Sequence, residues 1–155
     1  MAITFAPRGM LQVDDARIAF GNFSGRGDKF NREGDRNFSL VIENEEDAQR
    51  LQEAGWNVKI KAPREEGDLP FMHMKVKVKF SDYGPRVILM TEGSTSRVVL
   101  NEETIGCLDN IDIARIDMDI RPFKGDMNGV PFQSAYLETM YVTQKYNRFI
   151  DRYGE

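Results

Sequence analysis

The chain has 155 residues, 41% of them hydrophobic and 30% charged, with a formal net charge of −4 at pH 7. Such a length and balance predict one soluble globular domain that buries roughly two-thirds of its unfolded surface. The single cysteine, Cys107, excludes an internal disulfide and a cysteine-built zinc site within one chain, and the longest purely apolar run, Val87–Met90, is far short of a membrane span.

The hydrophobic pattern is mostly of period two. The first fifteen residues, which carry no long apolar segment of a secretory signal, read as an extension before the domain. ARIAFGNF (16–23) predicts a strand, and GRGDKFNREGD (25–35) a long charged loop of the kind that is usually functional inside a compact domain. Its RGD at 26–28 is discounted as a chance tripeptide. RNFSLVI (36–42) is a second strand. A helix follows over about 44–55, with Asn44 as cap, acids in its first turn, Ala48, Leu51 and Ala54 at helical spacing and Gly55 to end it.

NVKIKAP (57–63) and LPFMHMKVKVKF (69–80) are strands, the first with Val58 and Ile60 turned inward. VILM and RVVL form a hairpin around EGSTS, and Asn101 caps a short helix over about 102–108. IDIARIDMDIRPF (111–123) alternates but changes phase near Ala114, as a β-bulge does. KGDMNG turns the chain into a last strand at 131–143, and the tail from 144 to 155 reads as a loose helix anchored by Phe149 and Ile150. This order predicts a mainly β fold, a partly open OB-like barrel over residues 16–143 with one inserted helix.

Charge is segregated. Residues 57–79 hold six basic and three acidic groups, whereas residues 43–53 and 102–119 hold five and six acids with one arginine each. Residues two apart on a strand share a face about 7 Å apart, so Lys75, Lys77 and Lys79 form one positive row and Lys59 and Lys61 another. The ordinary reading is edge protection by lysine. Two strands with the same habit favour a face for a polyanion, since like charges on neighbouring strands otherwise destabilise a sheet. A single nucleic-acid strand also needs flat rings for its bases. Phe30 between Lys29 and Arg32, Trp56 before the first lysine strand, Phe123 after Arg121, and Tyr136 supply them. Core packing is the competing reading, weakest for Phe30 because its neighbours are charged. Arg36 joins Lys29 and Arg32 as a basic group closing over from the loop.

Asp117 and Asp119 share a strand face and match a metal-dependent nuclease only in part, because a third ligand and a base are missing from the pattern. The one histidine, His73, lies between apolar residues, and no G-x-S-x-G, P-loop or G-x-G-x-x-G is present. No catalytic residue, cofactor or metal is assigned.

Taken in order, FSGRGDKFNREGDRNFSLVI, the acidic helix, AGWNVKIKAPRE, LNEETIGCLD, DIRPFKGDMNG and AYLETMYVT resemble a family of bacteriophage single-stranded DNA-binding proteins over about residues 16–143. The resemblance implies an OB-like barrel that coats single-stranded DNA during phage replication or recombination, without catalysis, in the cytoplasm of the bacterial host. It places binding on the GDKFNR loop, the GWNVK strand and the IRPF hairpin. The acidic helix and residues 102–119 are expected away from the groove. One departure is the C-terminus, where the residues after Thr143 hold three basic and two acidic groups and so lack an acidic recruiting tail. RNA in place of DNA, a homo-oligomer, and replication or recombination proteins as partners stay open at this level. The main alternative is a phage structural or interaction module that docks an acidic protein on the lysine face.

Overall fold

The structure, a computed structural model, describes residues 1–146. One sheet carries the strands β1 (Ala2–Phe5), β2 (Leu11–Asp14), β3 (Ile18–Asn22), β4 (Arg36–Ile42), β5 (Lys59–Lys61), β6 (Phe71–Val78), β7 (Arg86–Thr91), β8 (Arg97–Leu100), β9 (Ile113–Met127) and β10 (Val130–Gln144). Its main path runs β1-β2-β9-β10-β6-β4-β3, and the two ends of that path are not joined. The mainly β, partly open architecture with an inserted helix therefore agrees with the expectation.

Strand β10 is the hub. It pairs antiparallel with β9 along one edge, while the other edge meets β6 at Ala135–Tyr136 and then β7 at 139–144, both parallel. One core gathers Leu11, Phe38, Val76, Val87, Ile120 and Leu137 from six strands. Residues 1–15, set aside as an extension by their pattern, build β1 and β2 of this same sheet, with Leu11 and Val13 fully buried.

The helix α1 (Glu45–Glu53) starts where its cap predicts: the Asp47 N–H donates to Asn44 Oδ1 at 2.8 Å, and Ala48 and Leu51 are buried. Gly55 ends it at φ +94°. Asn101 likewise accepts from the Glu103 and Thr104 N–H groups, but the segment that follows is a 3-10 turn over Ile105–Asn110, not an α-helix from 102. The phase change in β9 is a bulge: Arg115 pairs Thr143 and Ile113 pairs Gln144, which leaves Ala114 as the extra residue. The turn after β9 is tighter than KGDMNG suggested. Asn128 and Gly129, at φ 54° and 83°, make a two-residue hairpin loop of the Asn-Gly kind, so β9 and β10 are each 15 residues long. No helix among the described residues is long and apolar enough to cross a membrane. The helix expected around Phe149 and Ile150 lies outside the described residues.

Candidate nucleic-acid interface

Strand β6 alternates as its sequence demands. Met72, Met74, Val76 and Val78 enter the core, and Phe71, His73, Lys75 and Lys77 occupy the opposite face, with Lys79 one residue beyond. The two lysine strands are neighbours, but staggered: Lys59 pairs with His73 and Lys61 with Phe71. No lysine therefore stands directly opposite another, and the rows join end to end. On the β4 side, Lys75 faces Ser39 and Lys77 faces Asn37. These short side chains leave the ammonium groups open to solvent. Among the described residues none of the five lysines is in an ion pair. Ile60, expected inward, is half exposed, because β5 is three residues long and pairs only with β6.

The rings lie where β10 meets β6. Tyr136 is beside Lys77 in the parallel pairing and opposite Arg121 in the antiparallel one. The Arg121 guanidinium is 5.0 Å from its ring centroid and Lys77 Nζ 5.8 Å, both within cation–π reach. Phe123 meets Tyr136 edge to face at 5.9 Å, and Phe132 continues the cluster at 6.4 Å from Phe123. Phe132 was not among the expected residues. Its signal was the period-two run Phe132, Ser134, Tyr136 opposite Gly125, where the ring covers bare backbone that any Cβ would clash with. A groove of about 390 Å³ is lined by Lys75, Lys77, Tyr136, Asn37, Arg36 and Glu102. A second hollow of about 260 Å³, between β5 and β10, reaches Lys59, Lys75, Lys77 and Gln133.

The 25–35 loop is held in shape from inside. Asn31 Nδ2 donates to the carbonyls of Arg26 and Asp35, Asp28 Oδ1 accepts from the Phe30 N–H at 2.7 Å, and Gly34 N–H closes on Gly25. Asn37 Nδ2 bonds Asn31 Oδ1 and ties the loop to β4, while Asp109 accepts the Phe23 and Ser24 N–H groups at its base. The result presents Phe30, 91% exposed, with Lys29 Nζ 5.7 Å from its ring and Arg32 exposed beside it.

Three expectations change. Trp56 is 4% exposed and packed in the core, so it offers no face to a base. It follows the helix C-terminus, where the Trp56 N–H bonds Leu51 O and turns the chain inward. Arg36 lines the groove but is already engaged there: its guanidinium donates to Glu102 O at 3.2 Å and pairs with the Glu102 carboxylate at 3.5 Å. Glu102 thereby borders the groove, although its segment was expected to lie away from it.

Of the two aspartates on this face, Asp117 is occupied by structure. Asp117 accepts the Asp15 N–H at 2.8 Å and Arg115 Nε at 3.1 Å. Burial pushes its carboxyl up, but those bonds and the Arg115 charge outweigh it and hold the group below the usual carboxylate range. Asp119 is raised, by burial first and then by Asp14. Among the described residues no three His, Cys, Asp or Glu side chains are grouped to hold a metal ion.

An exposed ammonium row, a cation-flanked ring cluster and a basic aromatic loop now share one sheet region. The sequence model of the phage ssDNA-binding domain family matches residues 3–155. The chain belongs to that family. Three solved structures of the single-stranded DNA-binding protein from bacteriophage Enc34 are similar to it in fold. One, in complex with ssDNA, has a TM-score of 0.60 at 12% identity and covers 95% of this chain and 93% of that one. Another gives 0.58 at 12% identity, over 95% and 87% of the two chains. A C-terminal truncation of the same protein gives 0.54 at 14% identity, over 92% and 90%. The comparison with curated protein sequences gave no match.

Proposed function

We propose that this family member binds single-stranded DNA across the face shared by β6 and β10 and coats it, without sequence preference, during phage replication or recombination in the host cytoplasm. Lys75, Lys77 and Lys79 track phosphates, Tyr136 and Phe123 stack bases, and Lys29, Phe30 and Arg32 close over the strand from the loop. The observation that carries this reading is Tyr136: a ring set between Lys77 and Arg121, at the lip of a groove whose floor is lysine. Rings accept any base, and ammonium groups accept any phosphate, so the contacts are indifferent to sequence. The role is non-catalytic, in keeping with an Asp117 engaged by Arg115 and the Asp15 backbone.

The test is fluorescence anisotropy of a labelled single strand of about thirty nucleotides, longer than one OB-type site. It is run at two salt concentrations beside duplex and RNA of the same length. Salt-weakened binding that favours the DNA single strand is expected. Equal binding to RNA widens the ligand class, and no single-strand binding at low salt sinks the reading. Trp56 is a poor reporter here, since its ring lies in the core.

A further inference from the structure

Two strands from the lysine row, on the far side of β4, β3 breaks its own geometry. Its pairing with β4 shifts between Ala19 and Asn22, and inside that irregularity Phe20 sits at φ 53°, in the left-handed region. A bulky non-glycine residue there is an outlier, and such strain persists where the surroundings enforce it, most often at functional sites. The side chain gains little burial in return, for Phe20 is 73% exposed. What it gains is position. Its ring stands edge-on to Phe71 at 5.9 Å, and Phe71 lies almost parallel to the His73 imidazole, at 4.8 Å and 18°. Phe71 and His73 belong to the same face as Lys75 and Lys77, and Lys61 and Lys59 are their direct partners on β5.

We infer that Phe20, Phe71 and His73 form a second base-stacking ledge, on which Lys59 and Lys61 hold the phosphates of the nucleotide whose base rests against Phe20. The ligand class is a nucleobase of a single strand, and the inference rests on the single-strand reading above. Phe71 and Lys77 are six residues apart on β6, about 20 Å. The ledge and the Tyr136 cluster therefore serve different nucleotides of one strand, with Lys75 and Lys77 between them. Neither half is an edge device: a lone lysine pair protects an edge, but it needs no solvent-exposed ring held in a strained backbone beside it.

The experiment measures the affinity of labelled oligothymidylates from about four to thirty nucleotides, a span that brackets single OB-type sites, for the wild type, Phe20→Ala and Phe20→Gly. The wild type should gain affinity in a step when the strand becomes long enough to reach both ends. Both variants should lose that step and bind the longest strand about 5- to 150-fold more weakly, while the shortest strands bind as before at the Tyr136 end. Phe20→Gly should meanwhile keep or raise Tm, because glycine adopts positive φ freely; a loss of affinity in that variant is therefore not a loss of fold. Wild-type affinity and length dependence in both variants overturns the ledge alone, as does a change in oligomeric state with affinity intact. A wild type that binds no single strand overturns the proposed function with it.

Discussion

The two ends of the lysine row use the same residue types under opposite conditions. At the β10 end the ring and its arginine are already engaged, although Lys77 has no acid among the described residues: Tyr136 is half buried, Arg121 and Lys77 lie against its ring, and Arg121 pairs with Glu138 at 3.2 Å. At the β3–β5 end Phe20 projects into solvent on a strained backbone, and Lys59 and Lys61 have no acid among the described residues. A ligand at the first end must compete with Glu138 for Arg121; at the second it meets an exposed ring and two lysines that no acid holds among the described residues. The lesson is that composition alone does not rank two such patches. What ranks them is which interactions the free protein has already made.

The largest effect expected on the β10 end comes from Tyr136→Ala, which should weaken single-strand binding by about 1–3 kcal/mol, whereas Tyr136→Phe keeps the ring and most of the affinity. Anisotropy titrations decide it, with thermal melts to confirm the fold. Next come the lysine pairs. Lys75→Ala with Lys77→Ala should lower the slope of log affinity against log salt by about 1.4, and Lys59→Ala with Lys61→Ala should do the same if both rows touch phosphate. An unchanged slope in the second double variant returns β5 to edge protection and breaks the symmetry of charge between the ends.

Glu138→Gln works in the opposite direction. Freeing Arg121 from a half-exposed ion pair should tighten binding about two- to fivefold, most visibly at low salt. The smallest effect belongs to His73. Burial, then Lys59 and Lys61, lower its pKa below 6.5, so the unfolded chain takes up the proton first. That contribution to stability is complete above pH 6.5 and is lost as pH falls below it; denaturant melts of wild type and His73→Gln across that range should converge at low pH. Lys59 and Lys61 face the imidazole from β5 and Val41 from β4, so a bound phosphate supplies the negative charge that favours its charged form. Single-strand affinity should then rise slightly over the same interval, in the wild type only.

Much of the fold was legible because local chemistry and global pattern agree. Asn44 capped the helix it promised, the phase change at Ala114 is a bulge, and Lys75 and Lys77 lie on the face their alternation requires. Other features depend on partners far along the chain. The pairing of β2 with β9 places Leu11 and Val13 in the core, although four-residue strands beside a Pro-Arg-Gly turn look like a tail. Trp56 next to a lysine strand has the composition of a ligand and the position of a core residue. Arg36 reads as a loop cation until Glu102, 66 residues on, takes its guanidinium. Phe20 was invisible for a further reason. In sequence it is the regular apolar member of ARIAFGNF, and only the backbone angle shows that it has left the strand's alternation.

Strand β10 also sets the timing of the site. Lys75 and Lys77 lie on β6, which can pair with β4 and β5 from residues made close to it in sequence. Tyr136 and Phe132 arrive only with Val130–Gln144, the strand that joins β6, β7 and β9. On a ribosome, where chains emerge N-terminus first at about 5–20 residues per second, the lysine row is exposed for some seconds before its ring cluster exists. A growing chain thus carries its lysine row and the Phe20–Phe71 ring pair before Tyr136 and Phe132 are in place. The proposed interface is complete only when the last strand docks.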